Sequence, residues 1–169
     1  MRAKGYIFKM IGTFFLLLSL LCSAGRATDT NATCSKDMAV TSTHVAASGL
    51  GGILKDVTEV KQRIALIRSF IDPIRFYDDH SGYFYVYDYH CVNIAHATQK
   101  DLQGKNLTDY KDSKGKFVIR ELAAAAKKGG GFVEYYWVKP GEKGEKKKIG
   151  YVAPIPQTDY FIGTGVYTP

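Results

Sequence analysis

Three tyrosines, Tyr83, Tyr85 and Tyr87, alternate with Phe84 and Val86 in the run Gly82-Tyr83-Phe84-Tyr85-Val86-Tyr87-Asp88. Aromatic and β-branched residues fit a pleated, half-buried surface, so this run is expected as a strand. Successive side chains of a strand face opposite ways, which puts the three phenols on one face and Phe84 and Val86 on the other. Phe84 and Val86 suit a core. The phenols make an apolar wall bearing hydroxyls that need partners, suited either to lining a small-ligand pocket or to an aromatic core. Other chemistries find less support. Asp78, Asp79, His80, His90 and His96 are metal-ligand types without a metal-ligand spacing. Ser69, Ser81 and Ser113 sit in no nucleophile motif, and neither Cys34 nor Cys91 has a readable His partner. No metal, cofactor or catalytic residue is expected, and the chain carries no enzyme signature.

The elements that would position the tyrosines follow from periodicity. Leu50, Ile53, Val57, Val60, Ile64, Ile67 and Ile71 alternate in steps of three and four, which predicts a long helix over 50–72. Leu54, Leu66 and Phe70 widen its stripe and favour packing across a sheet, with helix-mediated homodimerisation as the alternative. The pattern then alternates. Strands are expected at Tyr83–Asp88 and Val92–Ala97, a compact helix at Phe117–Lys128, and strands at Phe132–Val138, Ile149–Ile155 and Tyr160–Tyr167. Gly129-Gly130-Gly131 stops the compact helix. These elements make an α+β domain on an antiparallel sheet.

The N-terminus reads as a targeting segment. Arg2, Lys4 and Lys9 precede an apolar core from Ile11 to Leu21, and cleavage sites follow Ala24 or Ala27. Residues 1–27 are thus expected as a signal peptide, 28–49 as a flexible arm and 50–169 as one ligand-binding domain. The location implied is periplasmic or secreted. Lipid attachment at Cys22 is disfavoured, because Leu21 stands where a small residue is wanted. The full chain has 23 Lys+Arg and 16 Asp+Glu. Beyond Ala27, nineteen basic residues face sixteen acidic ones, a net +3. The segment Lys139–Lys148 carries that excess and is expected as a solvated hairpin tip, so no nucleic-acid face is implied. Cys34 and Cys91 survive cleavage into an oxidising compartment, where they could form a disulfide or remain independent thiols.

Six short motifs in order carry a family resemblance: Arg75-Phe76-Tyr77, Gly82-Tyr83-Phe84, Val92-Asn93-Ile94-Ala95-His96, Leu102-Gln103-Gly104-Lys105-Asn106-Leu107, Gly131 to Trp137, and Thr158 to Tyr167 with Tyr151 before it. From about Asp72 to Tyr167 the chain resembles the single Cache domains, the extracytoplasmic sensor modules of bacterial chemoreceptors, histidine kinases and cyclases. The resemblance implies a PAS-like, five-stranded antiparallel sheet with a long N-terminal helix on one face and a helical insertion over a small-ligand pocket on the other. It also implies a small organic acid as ligand, of the acetate, propionate, lactate or pyruvate type. Two departures stand out: Cys91 replaces the usual Gly in the turn after the first strand, and no output module follows Tyr167. The expected role is therefore a free-standing co-sensor or binding protein presenting ligand to a membrane chemoreceptor or histidine kinase.

A carboxylate held away from water needs a cation and directed donors. Arg75, whose planar fork suits a carboxylate, is the cation expected; its alternative is a surface pair with Asp78 or Asp79. The resemblance places His96 beside the pocket. Tyr83, Tyr85, Tyr87, Tyr135, Trp137 and Tyr151 are expected to complete an aromatic cage. Tyrosine walls also bind rings and methylammonium groups, which leaves an amine, amino acid or purine as the less favoured ligand; an amine would want an inward carboxylate, and the candidates Glu134 and Asp88 alternate to the opposite side.

Overall fold

The computed structural model describes residues 24–168, with side chains from residue 33 onward. Its elements are α1 (Ala24–Leu54), α2 (Val60–Ile71), β1 (Tyr85–Asp88), β2 (Asn93–His96), a 3-10 turn at Lys100–Leu102, α3 (Val118–Lys127), β3 (Gly131–Val138), β4 (Glu145–Pro154) and β5 (Tyr160–Tyr167). The five strands form one sheet in the order β2-β1-β5-β4-β3, and every pairing is antiparallel. This is the α+β architecture expected. Helices α1 and α2 cover one face, α1 against β4 and β5 and α2 against β2, while α3 packs on β3 and β4. Among the described residues no helix is long and apolar enough to cross a membrane. The signal-peptide and Cys22 expectations fall mainly on residues outside those described.

The helical layer departs from expectation. Residues 28–49, expected as a flexible arm, lie within α1, and the predicted single helix over 50–72 is broken at residues 55–59. The reason is the small size of the packing residues. Ala39, Thr43, Ala46, Ala47, Leu50 and Leu54 form a buried stripe at helical spacing, which lets α1 approach the sheet closely. Ile53 and Val60, counted in the predicted stripe, are exposed. After the break, the Glu59 carboxylate accepts from the Gln62 N–H and caps α2.

Two further corrections concern the lysine run and the cysteines. Strand β4 begins at Glu145, paired with Val138, so Lys146–Lys148 belong to the sheet and not to a loop. Glu145 anchors that start by accepting from the Tyr110 hydroxyl (2.8 Å) and the Ser113 N–H (2.7 Å). Cys34 and Cys91 are free, the first exposed and the second buried. Cys34 rides on α1, whereas Cys91 closes the β1–β2 turn, where its carbonyl accepts from Leu107 N–H (2.9 Å).

Leu50→Ala should cost about 2–5 kcal/mol in urea denaturation. Ile53→Ala, on the exposed side, should stay within about 0.5 kcal/mol. Equal costs at both positions would contradict the orientation of α1.

Candidate ligand-binding site

Alternation along β1 and the register of its neighbours assemble one chamber. Tyr85 pairs with His96 of β2 and with Gly163 of β5, and Tyr135 of β3 pairs with Lys148 of β4, which pairs in turn with Tyr167. Directly opposed residues share a face. Tyr83, Tyr85, Tyr87, His96, Tyr135 and Trp137 accordingly line one cavity, roofed by Val118, Ile119 and Leu122 of α3. The helix presents this apolar face because its buried residues recur at helical spacing.

The floor of the chamber is glycine. A Cβ on Gly163 would stand 2.7 Å from the Tyr85 ring, one on Gly150 2.7 Å from Tyr135, and one on Gly165 2.9 Å from Lys148 Cε. Real Cβ contacts do not come that close, so these three positions let the rings and the lysine stem lie on the backbone itself. The cavity volume is about 10 Å³, room for about one water molecule. That is below the roughly 300–1,000 Å³ of ordinary ligand pockets.

Hydrogen bonds hold the rings in place. Tyr135 donates to the Tyr85 hydroxyl (3.2 Å), and Tyr85 donates to the Thr164 carbonyl (3.4 Å). The Tyr83 and Tyr167 hydroxyls meet at 3.1 Å, and Tyr167 donates onward to the Val138 carbonyl (2.8 Å). Trp137 Nε1 donates to Gln99 Oε1 (2.8 Å). Burial raises the pKa of the phenols, that of Tyr83 to about 12, so all stay protonated at neutral pH. His96 Nδ1 accepts from the Gln99 N–H (3.0 Å). Burial, reinforced by Lys148, Lys100 and Arg75, pushes His96 down to about 3, so the ring is neutral and its proton sits on Nε2.

The residue that sequence reasoning missed is Lys148. It is 1% exposed, and its Nζ lies 4.0 Å from the Tyr83 ring centre, 4.8 Å from Tyr167 and 5.5 Å from Tyr85. Among the described residues it makes no ion pair, and burial alone lowers its pKa from 10.5 to about 7. A signal for it existed. Strict alternation backwards from Gly150 puts Lys148 on the same face, whereas its neighbour Lys147 faces out and pairs with Glu134 (3.0 Å).

Two expected site residues lie elsewhere. Tyr151, an odd number of residues from Lys148 along β4, faces α1, where its hydroxyl meets His44 Nε2 (2.9 Å) and its ring packs on Phe132. Arg75 is exposed, outside the cavity lining, and donates to the carbonyls of Asp72 (3.0 Å), Ile74 (2.6 Å) and Ala97 (2.8 Å). Its fork clasps the backbone where α2 leads into the sheet. The remaining six residues are brought together.

Comparison with known proteins adds the following. The profile of the Cache domain family matches residues 53–169. The sensor histidine kinase MctS of Rhizobium johnstonii is 38% identical over 112 residues, 66% of this chain and 23% of that protein. The chain thus spans less than a quarter of the length of that relative. A methyl-accepting chemotaxis protein from Vibrio parahaemolyticus aligns with 84% of this chain and 89% of its own resolved chain, at 31% identity and a TM-score of 0.63. A Cache chemosensory domain described in terms of carboxylic acid recognition aligns with 87% of this chain and 99% of its own, at 26% identity and a TM-score of 0.68.

A buried ammonium without a carboxylate is a cost to the empty fold. Lys148 binds its proton less tightly when folded than at its ordinary pKa of 10.5, so stability rises as pH climbs from about 7 toward that value. His96 adds a second window: stability falls as pH drops from 6.5 toward about 3. Lys148→Met should raise the Tm at pH 6 by on the order of 5 °C and flatten the rise above pH 7. A lower Tm in thermal melts would show that Lys148 is stabilising instead.

Proposed function

The chain belongs to the Cache domain family, and on that premise we propose that it senses a small monocarboxylate in the chamber between the sheet and α3. The observation that carries this reading is Lys148, a buried cation facing tyrosine rings with no carboxylate of its own. An entering carboxylate would supply the missing charge, and its hydrogen-bond donors would be Lys148 Nζ, His96 Nε2 and the Tyr87 hydroxyl. The roof of Val118, Ile119 and Leu122 would hold the aliphatic tail. Among carboxylates, only acids of two or three carbons, the acetate, propionate, lactate or pyruvate type, are small enough for so tight a chamber, and the rings must shift to admit them. Dicarboxylates would lack a second cation, and amino acids would lack an inward acid for their ammonium. The proposal includes export, with residues 1–27 as leader, and action outside the cytoplasm as a co-sensor for a membrane chemoreceptor or histidine kinase.

A panel of acetate, propionate, lactate, pyruvate, succinate and ethylamine tests the ligand by thermal shift. A monocarboxylate at a hundred times its Kd should stabilise by about 2.7 kcal/mol, a shift of very roughly 5–10 °C for this size. Lys148→Met should abolish the shift, and Arg75→Ala should leave it nearly intact. Because binding recharges Lys148, affinity should fall toward about tenfold per pH unit above pH 8. A shift that survives Lys148→Met undiminished would remove this reading of the site.

The outer face of α1 supports a second reading, a homodimer, now through α1 rather than through 50–72. Cys34, Met38, Thr41, Val45, Ser48 and Gly52 are all exposed and alternate in steps of four and three, and no charge interrupts α1 from Met38 to Leu54. Such a seam suits close packing of two helices. Copper-catalysed oxidation should cross-link Cys34 between copies, and Val45→Glu should suppress it. A protein that sediments as a monomer at all concentrations would exclude the seam.

A further inference from the structure

Of the three rings around the Lys148 ammonium, Tyr83 and Tyr85 are buried, whereas Tyr167 is partly exposed. Tyr167 borders two surface clefts. One carries Asp78 and Asp79, and the other carries Lys139, Lys146 and Glu142. The Tyr167 ring therefore stands between solvent on the outside and Lys148 with Tyr83 on the inside. Lys148 and Tyr167 stand behind Tyr83 and Tyr85, outside the cavity lining itself, which is made of buried residues: Val118, Ile119 and Leu122 of α3 above, and Trp137, fastened by Gln99, at the side.

We propose that Tyr167 is the door to the Lys148 ammonium, and past it to the chamber beyond Tyr83 and Tyr85, and that it controls which ligands enter, with the approach over the cleft of Lys139 and Lys146. Two hydrogen bonds keep it shut, one with the Tyr83 hydroxyl (3.1 Å) and one to the Val138 carbonyl (2.8 Å). Tyr167 is the last residue of β5, so its ring can swing about the side-chain bonds without disturbing the ladder to Lys148. Charge chooses between the two approaches. Lys139 bridges Asp79 (3.0 Å) and Glu142 (3.1 Å), and Lys146 reaches Glu142 at 3.6 Å, so one cleft is lined by two lysines and one acid while the other is lined by two aspartates, one of them paired with Lys139. An anion is steered to the lysine side, and the first cation past the door is Lys148.

This inference rests on the carboxylate reading for its ligand but not for its geometry, and two readouts separate them. The first needs no ligand. Reductive methylation with formaldehyde and cyanoborohydride, read by peptide mass spectrometry, reports how often Lys148 meets solvent. Tyr167→Phe, which keeps the ring but loses both hydrogen bonds, should speed Lys148 methylation about tenfold. Gln99→Ala, which frees Trp137 instead, should not. The second is stopped-flow fluorescence of Trp137, the chain's single tryptophan, on mixing with acetate or propionate. Tyr167→Phe should raise the association and dissociation rates alike and leave Kd within about twofold, and Lys146→Glu should slow association alone. Methylation that quickens with Gln99→Ala and not with Tyr167→Phe would move the door to the α3 side and overturn the proposal. A protein that binds no acid but shows faster methylation with Tyr167→Phe would keep the door and remove the carboxylate reading.

Discussion

One unbalanced charge lies against the tyrosine wall of the cavity. Lys148 is taken out of water onto tyrosine faces with no acid beside it. Ring quadrupoles return part of the lost hydration, and the rest is a standing cost to the empty fold. The surroundings pack closely around the lysine. Glycines at 150, 163 and 165 let the rings and the lysine stem rest on bare backbone. The phenols then spend their hydroxyls on one another and on the carbonyls of Thr164 and Val138. A looser chamber would admit water and lose the penalty.

The two faces of the sheet divide the work. On one side α1 packs by small residues, and Tyr151 joins His44 and Phe132 in an interface that never meets the chamber. On the other side α3 and the segment before it close the roof, held by Tyr110 to Glu145 and Trp137 to Gln99. Strand β5 lies at the centre of this arrangement. It pairs with β1, which carries the tyrosine wall, and with β4, which carries the lysine. The hydroxyls of Tyr83, Tyr85, Tyr135 and Tyr167 bond across four strands of the same sheet, so a change of charge at Lys148 would be felt along their shared face.

The legibility of this chain was uneven, and the unevenness has a physical cause. Alternation in Tyr83–Asp88 and Gly131–Val138 is a local property, so the residues sharing a strand face could be read directly. Helix α3 announced itself by its alanine run and its glycine stop. Lys148 could not be seen in the same way. In the run Lys146-Lys147-Lys148 the solvated and the buried lysines look alike, and a turn at Gly141 and Gly144 invited the whole stretch into a loop. Helix α1 was missed because alanine and threonine bury well but weigh little in a hydrophobic pattern. Arg75 had the right chemistry in the wrong place, its fork taken by three backbone carbonyls.

The sequence by itself determined the elements, the α+β class, the ordered motifs of the Cache family, and the three phenols on one face of a strand. Those follow from periodicities within a few residues. Only the tertiary structure decided that Lys148 rather than Arg75 is the buried cation, that Tyr151 belongs to the opposite face, and that Tyr167 shields the ammonium. Each depends on the register between strands far apart in the chain, where a shift of one residue exchanges the two faces.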